Sequence, residues 1–126
     1  MCTLNFGTLN NSSEDFYEAT LKPGINNREE LFEELSIKLN FPVYFGNNWD
    51  ALTDCLRDLD WIDEKDVILI HRDLPELDDK MLYTYIDILI FCIKDWEEGE
   101  QHTLTVTFPS DVQTRIENLI SKINTP

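Results

Sequence analysis

The feature that most restricts how this chain can fold is a short apolar run near its middle. Residues 67–70 are Val, Ile, Leu and Ile, with charged residues close to both ends of the run. A strand that faces water on one side alternates apolar and polar residues, whereas a strand inside a parallel sheet is apolar on both faces. The run therefore predicts an inner strand of a parallel sheet. Parallel strands also need long crossover connections, which are usually helices.

Two alternating segments are predicted to supply the other strands. Residues 16–21 and 103–108 alternate apolar and polar side chains, and Pro23 and Pro109 follow them closely. Proline stops a strand because it cannot donate to the hydrogen-bond ladder. The fully apolar strand is expected between these two.

Three segments with helical periodicity fill the connections. The first helix is predicted to begin after Asn27, which caps it, with Glu30 three residues later as in a capping box. The second spans residues 48–59 and the third residues 79–98. The first helix is predicted to bury Leu31, Phe32, Leu35 and Leu39 and to expose Glu29, Glu33, Glu34 and Lys38. This order of elements predicts an α/β fold with a three-stranded parallel sheet, in the order 1-2-3, and flanking helices.

The two ends of the chain add to this core, and one domain is expected over residues 1–126. Residues 1–15 are a polar lead-in, in which Leu4 and Phe6 could add an edge strand. Residues 16–108 form the core fold. Residues 110–123 predict an additional C-terminal helix, started by a capping box of Ser110 and Gln113. Its apolar stripe is Val112, Ile116, Leu119, Ile120 and Ile123. This stripe either covers part of the sheet or forms a partner or dimer surface.

Charge narrows the possible partners. The 126 residues include 25 acidic and only 10 basic side chains, so the net charge is −15. That balance argues against nucleic acid or an anionic membrane as a partner, because both require basic patches. It favours a cationic partner or simply solubility. A monomer is expected.

The cysteines and the N-terminus suggest the compartment. Cys2, Cys55 and Cys92 are an odd number with no short-range pairing, and the first ten residues lack the pattern of a signal peptide. The longest apolar run, residues 88–93, is too short to cross a bilayer. Free thiols in a reducing cytoplasm are predicted.

The helix over residues 48–59 has an unusual polar face. Asp50, Asp54 and Asp58 recur every four residues, and each like-charge pair costs roughly 0.2–0.5 kcal/mol. We call these three side chains the acidic row. Arg57 relieves only part of the repulsion. The opposite face carries Leu52, Cys55, Leu56 and Leu59. The acidic row is either a solvated face of an acidic protein or a docking surface for a cationic partner.

Signals for catalysis are weak. The sequence has no glycine-rich phosphate loop, no zinc-spaced Cys and His set and no nucleophile elbow. His71 follows the central strand, but it and His102 are isolated and are interpreted as structural. Cys55 is interpreted as a buried, inert thiol. Asp50 and Asp54 could bind Mg²⁺ only weakly without a third ligand. We therefore predict no enzyme, no metal and no cofactor.

The segment that contains the acidic row resembles a known family. It reads Pro42, then Tyr44-Phe45-Gly46, Asn48, Asp50-Ala51-Leu52 and Asp54-Cys55-Leu56. This pattern is similar to the central segment of the barstar family, the intracellular inhibitors of barnase-type ribonucleases. The order of elements matches that family from about residue 16 to residue 108. The resemblance implies the same three-stranded parallel sheet and places the C-terminal helix outside the family's minimal fold.

The resemblance also implies a function. A barstar-like chain acts as an immunity protein or antitoxin, plugging the cationic active site of a basic extracellular-type ribonuclease or a toxin nuclease domain. Asp54 matches the main anchor. The expected partner-binding residues are Tyr44, Gly46, Asn48, Trp49, Asp50, Thr53 and Asp54, together with Arg57 and Asp58. Trp49 either packs on the first helix or stays partly exposed beside the acidic row.

Two departures from the family pattern leave room for other functions. Thr53 stands where the founding member has an aromatic residue, and the family's acidic contact on the long helix could fall on Lys94 or Asp95. The partner need not be barnase itself. The alternative is a protein-interaction or regulatory module that keeps the fold without inhibiting a nuclease; a small metal-dependent hydrolase is a weaker third possibility.

Overall fold

The strands and helices follow from the predicted patterns. A computed structural model describes residues 4–7, 16–42, 46, 48–98 and 101–123. The strands are β1 (Asn5–Phe6), β2 (Phe16–Leu21), β3 (Asp66–His71) and β4 (Thr103–Phe108). The helices are α1 (Arg28–Lys38), α2 (Trp49–Asp58), α3 (Asp79–Glu98) and α4 (Gln113–Ile123), the last preceded by a 3₁₀ turn at Ser110–Val112.

The sheet is entirely parallel, but it has four strands in the order β1-β4-β3-β2. The prediction of three strands is therefore wrong, although β3 does lie between β2 and β4. The additional strand β1 pairs with β4 through Asn5 and Phe6. Leu4 and Phe6 had suggested that an edge strand could form here, although two residues are too few to show alternation. The backbone N–H of Gly7 extends the pairing by donating to the Phe108 carbonyl at 2.9 Å.

One face of the sheet belongs to the apolar core. In register across the three longer strands, Ala19 lies beside Leu69 and Leu69 beside Val106, and all three side chains are buried. The helices contribute to the same cluster. Within β3, the first three residues of the apolar run are buried, whereas Ile70 is only half-buried.

Helix α1 begins as predicted, since Asn27 Oδ1 accepts a hydrogen bond from the Glu30 N–H at 2.7 Å. The predicted inner face is buried. Glu34 was expected outside, and this is wrong: its carboxylate is buried and accepts from the Lys22 N–H at 3.1 Å. At the other end, the Trp61 indole N–H donates to the Leu39 carbonyl at 2.9 Å. Both contacts involve residues distant in sequence, which local periodicity cannot reveal.

Helix α3 has the predicted length and crosses the core. Asp78 Oδ1 caps its first turn by accepting from the Met81 N–H at 2.8 Å. Tyr85 and Leu89 in its middle are fully buried. No helix in the described part of the chain is both long and apolar enough to cross a membrane.

Helix α4 packs on the chain itself. Ile116 and Leu119 are buried in the common core, and the helix lies against α3. Arg115 and Asp79 form an exposed ion pair between the two helices at 3.8 Å. The capping box predicted for Ser110 and Gln113 is wrong. The segment begins with a 3₁₀ turn without a side-chain cap, and the Gln113 side chain donates to Glu117 instead.

Candidate partner-binding site

The N-terminal end of α2 is fixed by Asn48. Its side-chain oxygen accepts from the Ala51 N–H at 2.7 Å, and its amide nitrogen donates to the Gly46 carbonyl at 3.3 Å. Gly46 lies close to this side chain. Glycine serves here by leaving space, because a Cβ at this position would lie 3.3 Å from the Asn48 amide nitrogen.

The C-terminal end of α2 is fixed by two buried rings from distant parts of the chain. The Trp96 indole N–H donates to the Leu56 carbonyl at 2.7 Å. The His102 Nε2 lies 3.0 Å from the Leu59 carbonyl. Its Nδ1 also lies 3.3 Å from the Lys65 carbonyl. Because a carbonyl only accepts, we assign the N–H donor to the shorter contact, with Leu59. The last carbonyls of a helix have no partner within it, so these two donors satisfy groups that would otherwise be buried unpaired.

Leu59 ends the helix in an unusual conformation. Its φ is 46°, in the left-handed region that leucine rarely adopts. Its N–H donates to the Cys55 carbonyl at 3.2 Å, and its side chain is buried. Burial and the His102 contact therefore hold a strained residue at the end of α2.

The inner face of α2 anchors it to the core. Leu52, Cys55 and Leu56 are buried, as predicted. Burial raises the pKa of the Cys55 thiol, and nearby Asp58 and Asp54 raise it further. Cys92 on α3 is also buried, and burial is the main reason that the pKa of its thiol is raised to about 12. This thiol lies 3.9 Å from the Thr53 carbonyl. Both thiols are free and unsuited to act as nucleophiles.

Trp49 combines the two roles considered for it. Its ring packs edge-on against Phe32 of α1, with the centroids 5.0 Å apart, and lies 6.4 Å from the Tyr85 ring. It nevertheless remains half-buried rather than fully enclosed. Thr53, also half-buried, donates its hydroxyl to the Trp49 carbonyl at 3.0 Å. The first turn of α2 is thus tied to α1 and α3.

The acidic row lies on the outer face of α2. Asp50, Asp54 and Asp58 are all exposed. Across the residues that the structure describes, no hydrogen bond or ion pair is made by the carboxylates of Asp50 and Asp54. Asp50 benefits from the positive end of the helix dipole, whereas Asp54 lies mid-helix. The row therefore presents at least two uncompensated negative charges on a helix fixed at both ends.

Arg57 turns away from the acidic row. Its Nε donates to Asp95 Oδ2 on α3 at 3.1 Å, and its guanidinium lies over the Phe91 ring, 5.4 Å from the centroid. The sequence suggested that Arg57 relieves repulsion within the acidic row, but its main contact is with Asp95. Its charge is paired with an acid on another helix.

The structure separates the predicted site residues by role. Tyr44 lies outside the described residues. Asn48 caps the helix, Arg57 joins α2 to α3, and the three acids of the row face outward. Sequence reasoning missed the supports, Trp96 and His102, because they lie 40 and 43 residues from the carbonyls that they contact. No local signal links them to α2.

The other candidates for chemistry are structural. His71 is buried, with Nδ1 at 3.0 Å from the Thr107 carbonyl and Nε2 at 2.7 Å from the Tyr85 hydroxyl. Burial lowers the pKa of His71 to about 4, so the ring is neutral at physiological pH. Because the Thr107 carbonyl only accepts, the single proton is on Nδ1, and Nε2 accepts from the Tyr85 hydroxyl. Over the described residues, no three His, Cys, Asp or Glu side chains come together as a metal site would require.

The acidic row lies on the surface of a parallel α/β fold, and a known family matches most of the chain. The family described as Barstar (barnase inhibitor) matches residues 16–109. The chain belongs to this family, whose members are inhibitors and not enzymes. The match ends just before α4, which lies outside the matched residues.

A relative of this chain is also named as a ribonuclease inhibitor. Over 72 residues the chain is 36% identical to a Bacillus subtilis (strain 168) protein named "Putative ribonuclease inhibitor YrdF". The alignment covers 57% of this chain and 75% of that protein.

Proposed function

We propose that this chain inhibits a basic nuclease and serves as an immunity protein or antitoxin against it. In this role α2 and the loop before it enter the nuclease's active site, with Asp54 as the central anchor and Asp50 one turn away. The observation that carries the proposal is the pair of exposed carboxylates, Asp50 and Asp54, without partners among the described residues. Family membership supports inhibition as the activity.

The proposed mechanism is charge mimicry. A nuclease that binds RNA phosphates holds Arg, Lys or His side chains in its active site. Carboxylates on α2 accept charge-assisted hydrogen bonds from such groups but offer no bond to cleave. Because both ends of α2 are fixed, the carboxylates keep their spacing as the nuclease approaches. Opposite charge also steers the encounter and raises the association rate.

The proposed setting is the cytoplasm of the cell that makes the protein. An immunity protein must meet the nuclease before it damages cellular RNA. The thiols of Cys55 and Cys92 are unpaired and buried, which suits a reducing compartment. The expected complex holds one copy of this chain and one nuclease domain.

The test is inhibition of two purified nucleases: barnase and a basic nuclease encoded beside this gene. Asp54→Ala should weaken binding to the inhibited nuclease by roughly 2–5 kcal/mol, because it leaves a buried cation unpaired; this range is typical of buried interfacial charge pairs, and charge pairs of barnase–barstar are among those measured. The unfolding free energy should change by less than about 0.5 kcal/mol, because Asp54 has only repulsive neighbours in its row.

Glu33→Ala is the matched control, since Glu33 is an exposed acid on α1 rather than α2. It should weaken binding much less than Asp54→Ala. If neither nuclease is inhibited, the chain is an interaction module that keeps the fold, and the proposal fails. Equal losses in the two variants would show that overall charge, and not the acidic row, governs binding.

A further inference from the structure

Phe91 is a large apolar side chain in an unexpected place. It lies on α3 and is 50% exposed, although its neighbour Cys92 is fully buried. Among the residues that the structure describes, only Ile37 on α1 is another large hydrophobic side chain in the exposed class. A single exposed apolar residue needs no explanation by itself, so its surroundings decide its meaning.

The surroundings of Phe91 hold its ring in place. The Arg57 guanidinium lies over the ring at 5.4 Å, and Arg57 is bound in turn to Asp95 at 3.1 Å. Phe91 and Asp95 are one turn apart on α3, so the three side chains form a bridge from α3 to α2. We call Phe91, Arg57 and Asp95 the aromatic flank. Within it, Asp95 neutralises the only cation, so the flank does not repel a basic partner.

The aromatic flank is continuous with the acidic row. Arg57 follows Asp54 by three residues on α2, which places the two on adjoining parts of the helix surface. The contact of the Cys92 thiol with the Thr53 carbonyl, at 3.9 Å, brings this part of α3 against the middle of α2. An oriented aromatic ring therefore lies beside the uncompensated carboxylates.

We infer that the aromatic flank is the apolar part of the nuclease-binding surface, in which Phe91 packs against a non-polar patch beside the nuclease's cationic active site. This inference rests on the proposed function and adds to it an apolar contact, made by Phe91 on α3. Binding energy in interfaces is concentrated in a few aromatic and charged side chains that become desolvated together. A row of carboxylates lacks an apolar contact of its own, and Phe91 is placed to supply it. Arg57 and Asp95 are positioning residues that orient the ring.

The rates of binding distinguish packing by Phe91 from long-range electrostatic attraction between the two proteins. The probe is barnase or the neighbour-encoded basic nuclease, whichever is inhibited. Phe91→Ala should raise the dissociation rate about tenfold, because short-range packing acts on the bound state. It should change the association rate and its dependence on salt by less than about twofold, since no charge is altered. Phe91→Leu keeps an apolar side chain and should show a smaller increase.

Ile37→Ala is the matched control, because Ile37 is at least as exposed (61%) but lies on α1. It should change the dissociation rate by less than about twofold. Melting curves of all variants should match the wild type, since both side chains are largely outside the core. A Phe91→Ala variant that dissociates like the wild type, or an equal effect of Ile37→Ala, would overturn the inference.

Asp54→Ala separates this inference from the proposed function. If Asp54→Ala loses binding and Phe91→Ala does not, α2 is the plug and the aromatic flank takes no part. If neither nuclease binds the wild type, the proposed function fails and the flank's role fails with it. Loss of binding in both variants, with a change in salt dependence for Asp54→Ala but not for Phe91→Ala, supports both.

Discussion

His71 shows how burial fixes the charge of a single side chain. Its ring is neutral, stacks on Phe108 at a centroid distance of 4.0 Å, and is hydrogen-bonded at both nitrogens. The sequence placed His71 after the central strand, where a ligand or a catalytic group was conceivable. The structure gives both nitrogens a partner inside the core and leaves neither for a substrate.

We predict that His71 makes the fold sensitive to mild acid. Burial lowers its pKa to about 4, whereas the unfolded chain binds the proton near pH 6.5. Between these pH values the unfolded state binds more protons than the folded state. The contribution of His71 to the free energy of unfolding is therefore complete above pH 6.5 and declines as the pH falls. The loss should be roughly 2 kcal/mol at pH 5 and about 3 kcal/mol below pH 4.

Urea unfolding at several pH values, with NMR of the imidazole nitrogens, measures this effect. Most carboxylates titrate below pH 5, so the decline between pH 6.5 and 5 is assigned to histidine. Native His71 should keep its Nδ1 proton and stay neutral at pH 5. An imidazole that titrates near pH 6.5 in the folded protein would contradict the prediction.

At the scale of elements, α2 depends on the parts of the chain that hold its ends. We predict that Trp96→Phe destabilises the protein by about 1–3 kcal/mol, because it keeps an aromatic ring but leaves the buried Leu56 carbonyl without its donor. Urea unfolding gives the loss. Amide hydrogen exchange should show faster exchange in the last turn of α2.

Trp61→Phe is a control of the same chemistry. Trp61 donates to the Leu39 carbonyl at the end of α1, but its side chain is only half-buried, so water can replace the lost bond. Its loss should be smaller and should leave exchange in α2 unchanged. Equal destabilisation by the two variants would show that the indole contact with α2 has no special role.

Helix α4 offers a second prediction at this scale. Truncation after Pro109 removes Ile116 and Leu119 from the core, and the loss of two such side chains costs at least about 3 kcal/mol. The melting temperature should fall by roughly 10 °C. Arg115→Ala breaks only the exposed pair with Asp79 and should have little effect. An unchanged melting temperature together with a change from oligomer to monomer in gel filtration would instead assign α4 to an oligomer interface.

At the scale of the whole molecule, the net charge of −15 acts on the free protein and on its complex in opposite ways. Salt screens repulsion among the acids, so the melting temperature should hold or rise between 0.05 and 0.5 M salt. Over the same range the association rate with the basic nuclease should fall about tenfold, while the dissociation rate changes little. Stopped-flow binding and melting curves measure the two effects. An association rate independent of salt would rule out electrostatic steering.

The contrast between local and distant contacts explains what the sequence could predict. Helical spacing alone put Asp50 and Asp54 outside and Leu52 inside. Alternation located β2 and β4, and the continuous apolar run located β3. These features depend on neighbours within one or two turns. For strand β1 the sequence suggested only that Leu4 and Phe6 could add an edge strand, because two residues carry no period.

The errors concern side chains whose partners lie far along the chain. Glu34 is buried because it reaches Lys22 at the end of β2, and Arg57 leaves the acidic row for Asp95, 38 residues away. The supports of α2 belong to the same class. Predicting such contacts requires the packing of the elements, which periodicity does not contain.

Helix α2 is fixed before any partner arrives, and this has an entropic consequence. A flexible peptide with the same carboxylates would lose about 1–2 kcal/mol for each residue that becomes ordered on binding. For the ten residues of α2 the loss is on the order of 10 kcal/mol, which exceeds the roughly 8 kcal/mol of a micromolar complex. In this protein the ordering takes place during folding, and burial of apolar surface offsets it. The hydrophobic interior thus determines how tightly a set of charges on the surface is able to bind.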